Sequence, residues 1–184
     1  NFLHRSWGPL EPFDDSMPEI LKMNGVYTHL ATDHHLYWAD GGATYHSRFS
    51  SWEMIRGQEG DPWKGQIKFP EIPEDAKAPQ RLFLPSREKL ADIWRQEWVN
   101  RQEFKEEKDG KRNPQSRTFK AGIDFIEKNH SEDNWFLQIE SFDPHEPYVV
   151  PEEYDALYGE HIKKKNLDWP DYHPVIESSD DVEN

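Results

Sequence analysis

The chain reads Trp135-Phe136-Leu137-Gln138-Ile139 and, shortly afterwards, Phe142-Asp143-Pro144-His145-Glu146-Pro147-Tyr148. The first segment is apolar enough to be a buried strand, and α/β proteins bind ligands beyond the carboxyl ends of such strands. The prolines on both sides of His145 fix their own φ angles and restrict the residues before them. The sequence therefore predicts an α/β fold in which a stiff loop holds His145 at one edge of the sheet.

The same loop has a simpler interpretation. A Pro-His-Glu-Pro segment is also typical of a plain turn whose histidine hydrogen-bonds its own backbone. A second group of functional residues at the same edge is needed to favour a catalytic role for His145.

Such a group follows a second predicted strand, Val26-Tyr27-Thr28-His29-Leu30-Ala31-Thr32, which is rich in β-branched and aromatic residues. The strand leads into Asp33-His34-His35, and a right-handed crossover places these residues at the same edge as His145. Asp33 is suited to orient an imidazole by accepting its second ring proton. His34 and His35 point to opposite sides of an extended chain, so one of them is expected to face the site. The alternative is a histidine pair exposed on a loop.

The bulk composition bounds the class of protein. The chain has 184 residues, a formal net charge of -14, 14% aromatic residues and 0 Cys. This length fits one domain, and a disordered chain rarely contains so many aromatic side chains. The acidity argues against nucleic acid and anionic membranes as partners, since both require dense basic patches. We expect a soluble protein without disulfides, and because the chain starts at Asn1 the compartment stays open.

Local signals bracket a first helix. Ser16 and Glu19 have the spacing of a capping box, with a proline at the helix start. Asn24-Gly25 supplies a stop signal. The sequence therefore predicts a short helix over about Met17 to Met23.

Apolar spacing predicts the remaining helices. One helix is expected from about Ser86 to Lys108, and another from about Gln115 to Lys128. A short helix over Pro151 to Tyr158 precedes a polar tail at residues 159–184. In the helix from Gln115 the expected buried stripe is Phe119, Ile123 and Ile126.

The region between these elements is predicted to be irregular. Residues 39–80 contain much glycine and proline but little periodicity, and irregular segments of this length are often functional. Only two core strands are therefore predicted, whereas an α/β sheet usually has about five or six. We expect residues 1–184 to be an interior fragment of a single catalytic domain, with self-association through the surfaces that the fragment leaves uncovered.

Basic residues in the irregular region are candidates for binding an anion. They are Arg48, Arg56 and Lys64, of which arginine offers a bidentate fork. Alternatively, the segment Arg56-Gly57-Gln58-Glu59 is a turn held together by its own side chains.

Several segments in order resemble the type I sulfatases of the alkaline-phosphatase superfamily, and the likeness covers nearly the whole chain. Asn1-Phe2-Leu3-His4 is similar to the residues that follow the family's nucleophile signature, and Asn24-Gly25-Val26-Tyr27-Thr28 to its helix-to-strand passage. Trp52-Glu53 with Arg56-Gly57-Gln58-Glu59-Gly60-Asp61 resembles one branch of the family. The segment from Phe142 to Tyr148 is the best-preserved internal motif.

The resemblance implies hydrolysis of a sulfate ester on a small molecule or a carbohydrate. In the family a formylglycine hydrate attacks sulfur, while Ca²⁺ and basic side chains hold the sulfate. His145 would contact the sulfate and protonate the leaving oxygen, and a histidine after the first strand would assist breakdown of the sulfated intermediate. Asp143 and Asp33 would support the substrate from their loops, and Arg56 would bind its anionic group.

The chain also departs from the family pattern. Thr32-Asp33-His34-His35 stands where many sulfatases have Gly-Lys-Trp-His, so the family lysine is absent and both His34 and His35 are retained as candidates. The nucleophile signature, Cys/Ser-x-Pro-Ser-Arg, is missing, since Phe83 stands at the nucleophile position of the segment around Ser86. The calcium ligands of the family are not identified in these residues. The isolated chain is therefore expected to be inactive.

Two other functions fit the same residues. One is hydrolysis of a phosphonate or a phosphodiester by a member of the same superfamily. The other is a non-catalytic module that binds an anionic sugar through Trp52, Trp63, Arg56 and His145.

Overall fold

The structure, a computed structural model, describes residues 10–40, 42, 44–58, 60–73, 95–103, 113–150, 154 and 157. Together these residues form a mixed α/β arrangement. Two one-turn 3-10 segments cover His35–Trp38 and Tyr45–Arg48. The helices and strands are α1 (Met17–Met23), β1 (Tyr27–Thr32), β2 (Ser51–Met54), α2 (residues 95–101), α3 (Pro114–Asn129) and β3 (Trp135–Glu140).

The sheet has three parallel strands in the order β2-β1-β3. Thr32, the last residue of β1, is in register with Met54 on β2 and with Glu140 on β3. All three strands therefore end at the same edge. This confirms the prediction that the segments after β1 and β3 lie side by side.

Strand β2 corrects the prediction that residues 39–80 are irregular. Ser51-Trp52-Glu53-Met54 alternates polar and apolar residues as a strand does, but it is only four residues long and has no apolar run, so its local signal is weak. Its pairing with β1 supplies the missing stabilisation, because the backbone groups of the two strands hydrogen-bond each other. The sheet accordingly has one strand more than the sequence predicted.

Side chains from β1 pack on both faces of the sheet. Leu30 packs with Tyr37 and Phe49 on one face, while Ala31 packs with Ile55 and Ala121 on the other. The face that carries Leu30 is covered by α1 and the 3-10 segments, and the other face is covered by α3. Strand β1 is thus the centre of the core.

Helix α3 confirms the predicted helix, but the side of it that packs against the sheet is not the predicted one. Phe119, Ile123 and Ile126 were expected to be buried, but each is between two-fifths and one-half exposed. Thr118, Ala121 and Gly122 are buried instead. A β-carbon on Gly122 would lie 2.3 Å from Cδ1 of Ile139, so small residues allow the helix to lie directly on β3. Close approach, rather than apolar periodicity, decides which face of this helix is inward.

Helix α1 has the predicted bounds but not the predicted cap. The Ser16 side chain makes no capping hydrogen bond, and the Glu19 carboxylate is paired with the Arg48 guanidinium. The capping-box prediction is therefore wrong, because a partner distant in sequence uses Glu19. Gly25 has a φ of +83°, which suits glycine and ends the helix as predicted.

Helix α2 ends at residue 101, before the predicted end at Lys108. The amides of Gln102 and Glu103 bond to carbonyls three residues back, which is how helices commonly tighten at their ends. The predicted start at Ser86, the segment Asn1-Phe2-Leu3-His4 and the tail at 159–184 lie outside the described residues, as does most of the predicted helix over Pro151 to Tyr158. Within the described part of the chain, no helix has both the length and the apolarity to cross a membrane.

Candidate functional site

His34 lies directly beyond β1 and contacts the end of β3. Its Nδ1 is 3.3 Å from Oε1 of Glu140, and its ring stacks on Tyr37 with centroids 4.7 Å apart. The ring also meets the edge of Phe142, at 5.6 Å between centroids. His34 is therefore held between a carboxylate and two aromatic rings.

Glu140 is the charged centre of this group. Its Oε1 also accepts a 2.5 Å hydrogen bond from the Tyr37 hydroxyl, and its Oε2 accepts one from Gln138. Burial alone would raise the pKa of Glu140, but the hydrogen bonds from His34 and Tyr37 outweigh it, so the pKa lies below its usual value. Burial and the bond to Glu140 raise the pKa of Tyr37. At neutral pH the pair is thus a carboxylate bonded to a neutral phenol.

Asp33 is fully buried and contacts the start of the His145 loop. Its Oδ1 accepts a 2.7 Å hydrogen bond from the Phe142 amide, and its Oδ2 accepts one from the Ser141 hydroxyl at 3.3 Å. Burial raises its pKa to about 6, although these hydrogen bonds oppose the rise. Both oxygens of Asp33 thus accept hydrogen bonds from the loop after β3, and orientation of an imidazole by Asp33 stays a prediction. It is Glu140 that contacts His34.

His35 has different surroundings from His34. The chain turns into a 3-10 segment at His35 instead of remaining extended. Burial lowers the pKa of His35, and the nearby Asp61 carboxylate opposes this change, whereas the charge of Arg56 adds to it. Like the Asp61 carboxylate, a hydrogen bond to the Gln58 backbone acts to raise the pKa of His35. His35 therefore faces the loop after β2, on which Arg56, Gln58 and Asp61 lie.

Arg56 is paired within that loop. Its Nε and its second terminal nitrogen lie 2.6 and 2.7 Å from the two carboxylate oxygens of Asp61. The Gly57 amide donates to the same carboxylate at 2.9 Å. The partner that holds Arg56 and Gly57 is thus Asp61, which lies beyond the segment Arg56-Gly57-Gln58-Glu59 but within the same loop. The other candidates for anion binding are also paired, Arg48 with Glu19 and Lys64 with Glu103.

His145 lies on the surface, with 55% of its side chain exposed. Its amide donates to the Phe142 carbonyl at 3.1 Å, and its Nδ1 is 2.8 Å from the Glu146 carbonyl. Its ring is 4.6 Å from that of Phe142. These contacts are those of the turn interpretation. They also leave the far side of the imidazole open to solvent.

Asp143 and Gln58 connect the two loops. Burial raises the pKa of Asp143, and a hydrogen bond from the Gln58 side chain opposes the rise. Since the Gln58 backbone also bonds to His35, this residue links the loop after β2 to the loop after β3. Gln58, Glu140 and Tyr37 were not among the predicted site residues. Alternation along β3 was an available signal for Glu140, which ends that strand on the same face as Phe136 and Gln138.

The described residues bring the predicted histidines to one sheet edge but do not supply a metal site. No group of three or more His, Cys, Asp or Glu side chains within the described ranges is placed to hold a metal ion. The calcium that the sulfatase resemblance implies therefore has no such ligand group among the described residues. No protein-family model, curated protein or solved structure matches the chain.

Proposed function

We propose that the chain is part of a sulfuric ester hydrolase with an alkaline-phosphatase-like fold. The observation that carries the proposal is the hydrogen bond between Asp33 and the Phe142 amide at the shared edge of β1 and β3. It joins the segment that contains His34 and His35 to the loop that contains His145. Histidines from two strand ends are thereby held near one another, as acid–base chemistry requires.

His145 is suited to act on a substrate from outside. The Glu146 carbonyl can only accept a hydrogen bond, so Nδ1 of His145 is the donor in that contact. This leaves Nε2 for a ligand, and the exposed ring gives the ligand access. In the proposed reaction His145 acts as an imidazolium, with a proton on each ring nitrogen, and donates the Nε2 proton to the leaving oxygen of the ester while Nδ1–H stays bonded to the Glu146 carbonyl.

A histidine after β1 supplies the opposite function, acceptance of a proton. The pKa of His35 is lowered, so its imidazole is neutral at neutral pH and can serve as a base. His34 bonds to the Glu140 carboxylate through Nδ1, which fixes its ring and directs Nε2 away from Glu140. Both remain candidates for the base, and single substitutions distinguish them.

A second candidate function is binding of a sugar without catalysis. Trp52 is 45% exposed and packs edge-on against Trp38, with centroids 5.1 Å apart, and against His46 at 5.0 Å. Exposed aromatic faces of this kind suit the apolar face of a sugar ring. The pairing of Arg56 with Asp61 makes an anionic sugar a poorer fit than a neutral one.

The test uses the polypeptide that contains this chain together with its flanking sequence. Hydrolysis of 4-methylumbelliferyl sulfate is compared with that of a phosphodiester and a phosphonate monoester, and mass spectrometry determines whether a Cys or Ser is converted to formylglycine. We expect sulfate ester hydrolysis that falls by about 10²–10⁴ in His145→Ala and in one of His34→Ala and His35→Ala. His130→Ala, at the exposed end of α3, is the matched control.

Two outcomes would refute the sulfatase proposal, and a third would refute the role of His145. Preferred cleavage of the phosphodiester or the phosphonate would establish the related hydrolase instead. Sugar binding without hydrolysis, lost in Trp52→Ala, would establish the binding module. Sulfate ester hydrolysis that is unchanged in His145→Ala would remove the proposed acid.

A further inference from the structure

The outer edge of β3 is open within the described residues, where β3 pairs with β1 and with no other strand. The Tyr27 amide donates to the Asn134 carbonyl, so in this parallel ladder the backbone groups of residues 134, 136, 138 and 140 face β1. The backbone groups of Trp135, Leu137 and Ile139 therefore point away from the sheet. An edge of this kind offers its hydrogen-bonding groups to another strand.

Helix α3 presents an apolar stripe on the same side of the molecule. Ala121 packs with Ala31 of β1, whereas Gly122 closely approaches Ile139 of β3. The step from Ala121 to Gly122 therefore turns towards the β3 edge, and each residue turns the helix by about 100°. The next positions in that direction are Ile126, Phe119 and Ile123, each of which is between two-fifths and one-half exposed.

The stripe carries no formal charge. By the same rotation, all the charged residues of α3 lie on its other sides, and they are Arg117, Lys120, Asp124, Glu127 and Lys128. In a chain with a net charge of -14, an uncharged surface is one through which two copies can approach without charge repulsion. The stripe and the strand edge thus suit an apolar partner that has an open strand edge of its own.

A second copy of the chain has both features, and two-fold symmetry brings them together. With Leu137 on the axis, antiparallel pairing of the two β3 strands joins their outward backbone groups, so that Trp135 lies opposite Ile139 of the second copy. Helix α3 contacts both β1 and β3, since the Phe125 ring stacks on His29 and meets the edge of Trp135. The two α3 helices would then be two strand spacings apart, about 10 Å, and packed helices lie about 8–10 Å apart.

Charges beside the stripe are complementary in this arrangement. Contacts of α3 with Ile139 and Trp135, at the two ends of β3, place the middle of the strand level with residues 123 and 124. The antiparallel order then places Lys120 level with Glu127 of the second copy, and symmetry repeats the pair. Opposite charges therefore meet at the rim of an apolar contact.

We propose that this chain forms a two-fold symmetric dimer through β3 and α3. The sheet continues across the axis, with three strands from each copy, and the two apolar stripes pack against each other. Dimerisation gives a defined surface to the self-association expected from the sequence. It depends on neither the histidines nor a catalytic step.

The first test is light scattering coupled to size-exclusion chromatography of the 184-residue chain, from about 1 µM to about 100 µM. We expect the mass to rise from that of one chain to that of two, and no further. Ile123→Asp should raise the dimer Kd by about a hundredfold, because it brings like charges together in the contact. Ile20→Asp is the matched control, because Ile20 on α1 is as exposed as Ile123.

The second test is amide hydrogen exchange of the unmodified chain, which examines the strand pairing directly. The amides of Leu137 and Ile139 should exchange about tenfold more slowly at the higher concentration, because they become bonded in the dimer. The amides of Phe136 and Gln138 face β1 and should change little. Lys120→Glu should weaken the dimer, and addition of Glu127→Lys should restore it.

Each contrary result overturns a stated part of the proposal. A mass of one chain at every concentration would exclude the dimer, and equal weakening by Ile20→Asp and Ile123→Asp would place the contact elsewhere. Exchange of the Leu137 and Ile139 amides that is independent of concentration would exclude the strand pairing. Failure of the double charge exchange to restore the dimer would exclude the antiparallel order of the helices. Circular dichroism of each variant separates lost association from lost structure.

Discussion

Replacement of Asp33 by asparagine tests the central contact of the site. The asparagine side chain would keep an oxygen that accepts the Phe142 amide and would present an NH₂ group to the Ser141 hydroxyl, which can accept. The substitution therefore preserves the shape and the hydrogen bonds of the buried carboxyl group. What it removes is the charge.

The magnitude follows from the raised pKa. In the folded chain the pKa of Asp33 is about 6, against an ordinary value of 3.8 that also describes the unfolded chain. Because ionisation is harder in the folded state, the carboxylate destabilises that state. This cost is absent below pH 3.8, grows between the two pKa values and is complete above pH 6. The difference between the two values corresponds to about 3 kcal/mol of unfolding free energy.

The assay is urea denaturation of the parent chain and of Asp33→Asn at pH values from about 3.5 to about 7.5. The unfolding free energy of the parent is subtracted from that of the variant, and this difference is plotted against pH. Subtraction removes the pH dependence of other groups, including Glu140, whose lowered pKa acts in the opposite direction. We expect the difference to rise by about 3 kcal/mol between about pH 4 and about pH 7. Asp15→Asn, at an exposed aspartate before α1, is the matched control.

A flat difference plot for Asp33→Asn would refute the reasoning, because it would mean that burial of Asp33 does not oppose its ionisation. A difference that falls with rising pH would mean that the hydrogen bonds from Phe142 and Ser141 outweigh burial. In that case the carboxylate at this position stabilises the loop through its charge.

Three further predictions concern neighbouring contacts. Glu140→Gln should lower the unfolding free energy by about 1–3 kcal/mol at neutral pH, because the hydrogen bonds to the carboxylate are weakened. Since the pKa of Glu140 is lowered, that loss should shrink as the pH falls through it, and equal losses at neutral and acidic pH in urea denaturation would contradict this. Gly122→Ala should cost about 1–3 kcal/mol in the same assay, because the new methyl group would overlap Ile139. Adding Ile139→Ala should recover part of that loss, whereas strictly additive effects would exclude the clash. Asp61→Asn should lower the pKa of His35 further, since the Asp61 charge raises it, and an unchanged NMR titration of the His35 ring would contradict that reasoning.

Local patterns were sufficient for the regular elements with strong signals. Helix α1 begins after Ser16 and ends at a glycine with positive φ, as the sequence predicted. Strand β3 coincides with the predicted apolar run, but it lies at the edge of the described sheet and its residues are only partly buried, so the prediction of a buried strand was wrong. The parallel pairing of β1 and β3 also followed, because consecutive α/β units place their strand ends at one edge.

Partners distant in sequence account for the predictions that failed. Strand β2 depends on its pairing with β1, because the alternation of its four residues is too short to predict a strand by itself. The inward face of α3 depends on how closely Gly122 approaches Ile139, and periodicity alone favoured the wrong face. Glu19 could not cap α1 because it pairs with Arg48, which lies 29 residues away.

The sequence by itself determined that the chain is a mixed α/β protein, and it placed His34, His35 and His145 after strands that share an edge. These features depend on neighbours in the sequence and on the general handedness of α/β units. Only the tertiary structure decided that Asp33 binds the Phe142 amide and that Glu140 contacts His34, across more than one hundred residues. The physical reason is that a buried polar group must find a partner wherever the packing places one, and that placement is a property of the whole fold.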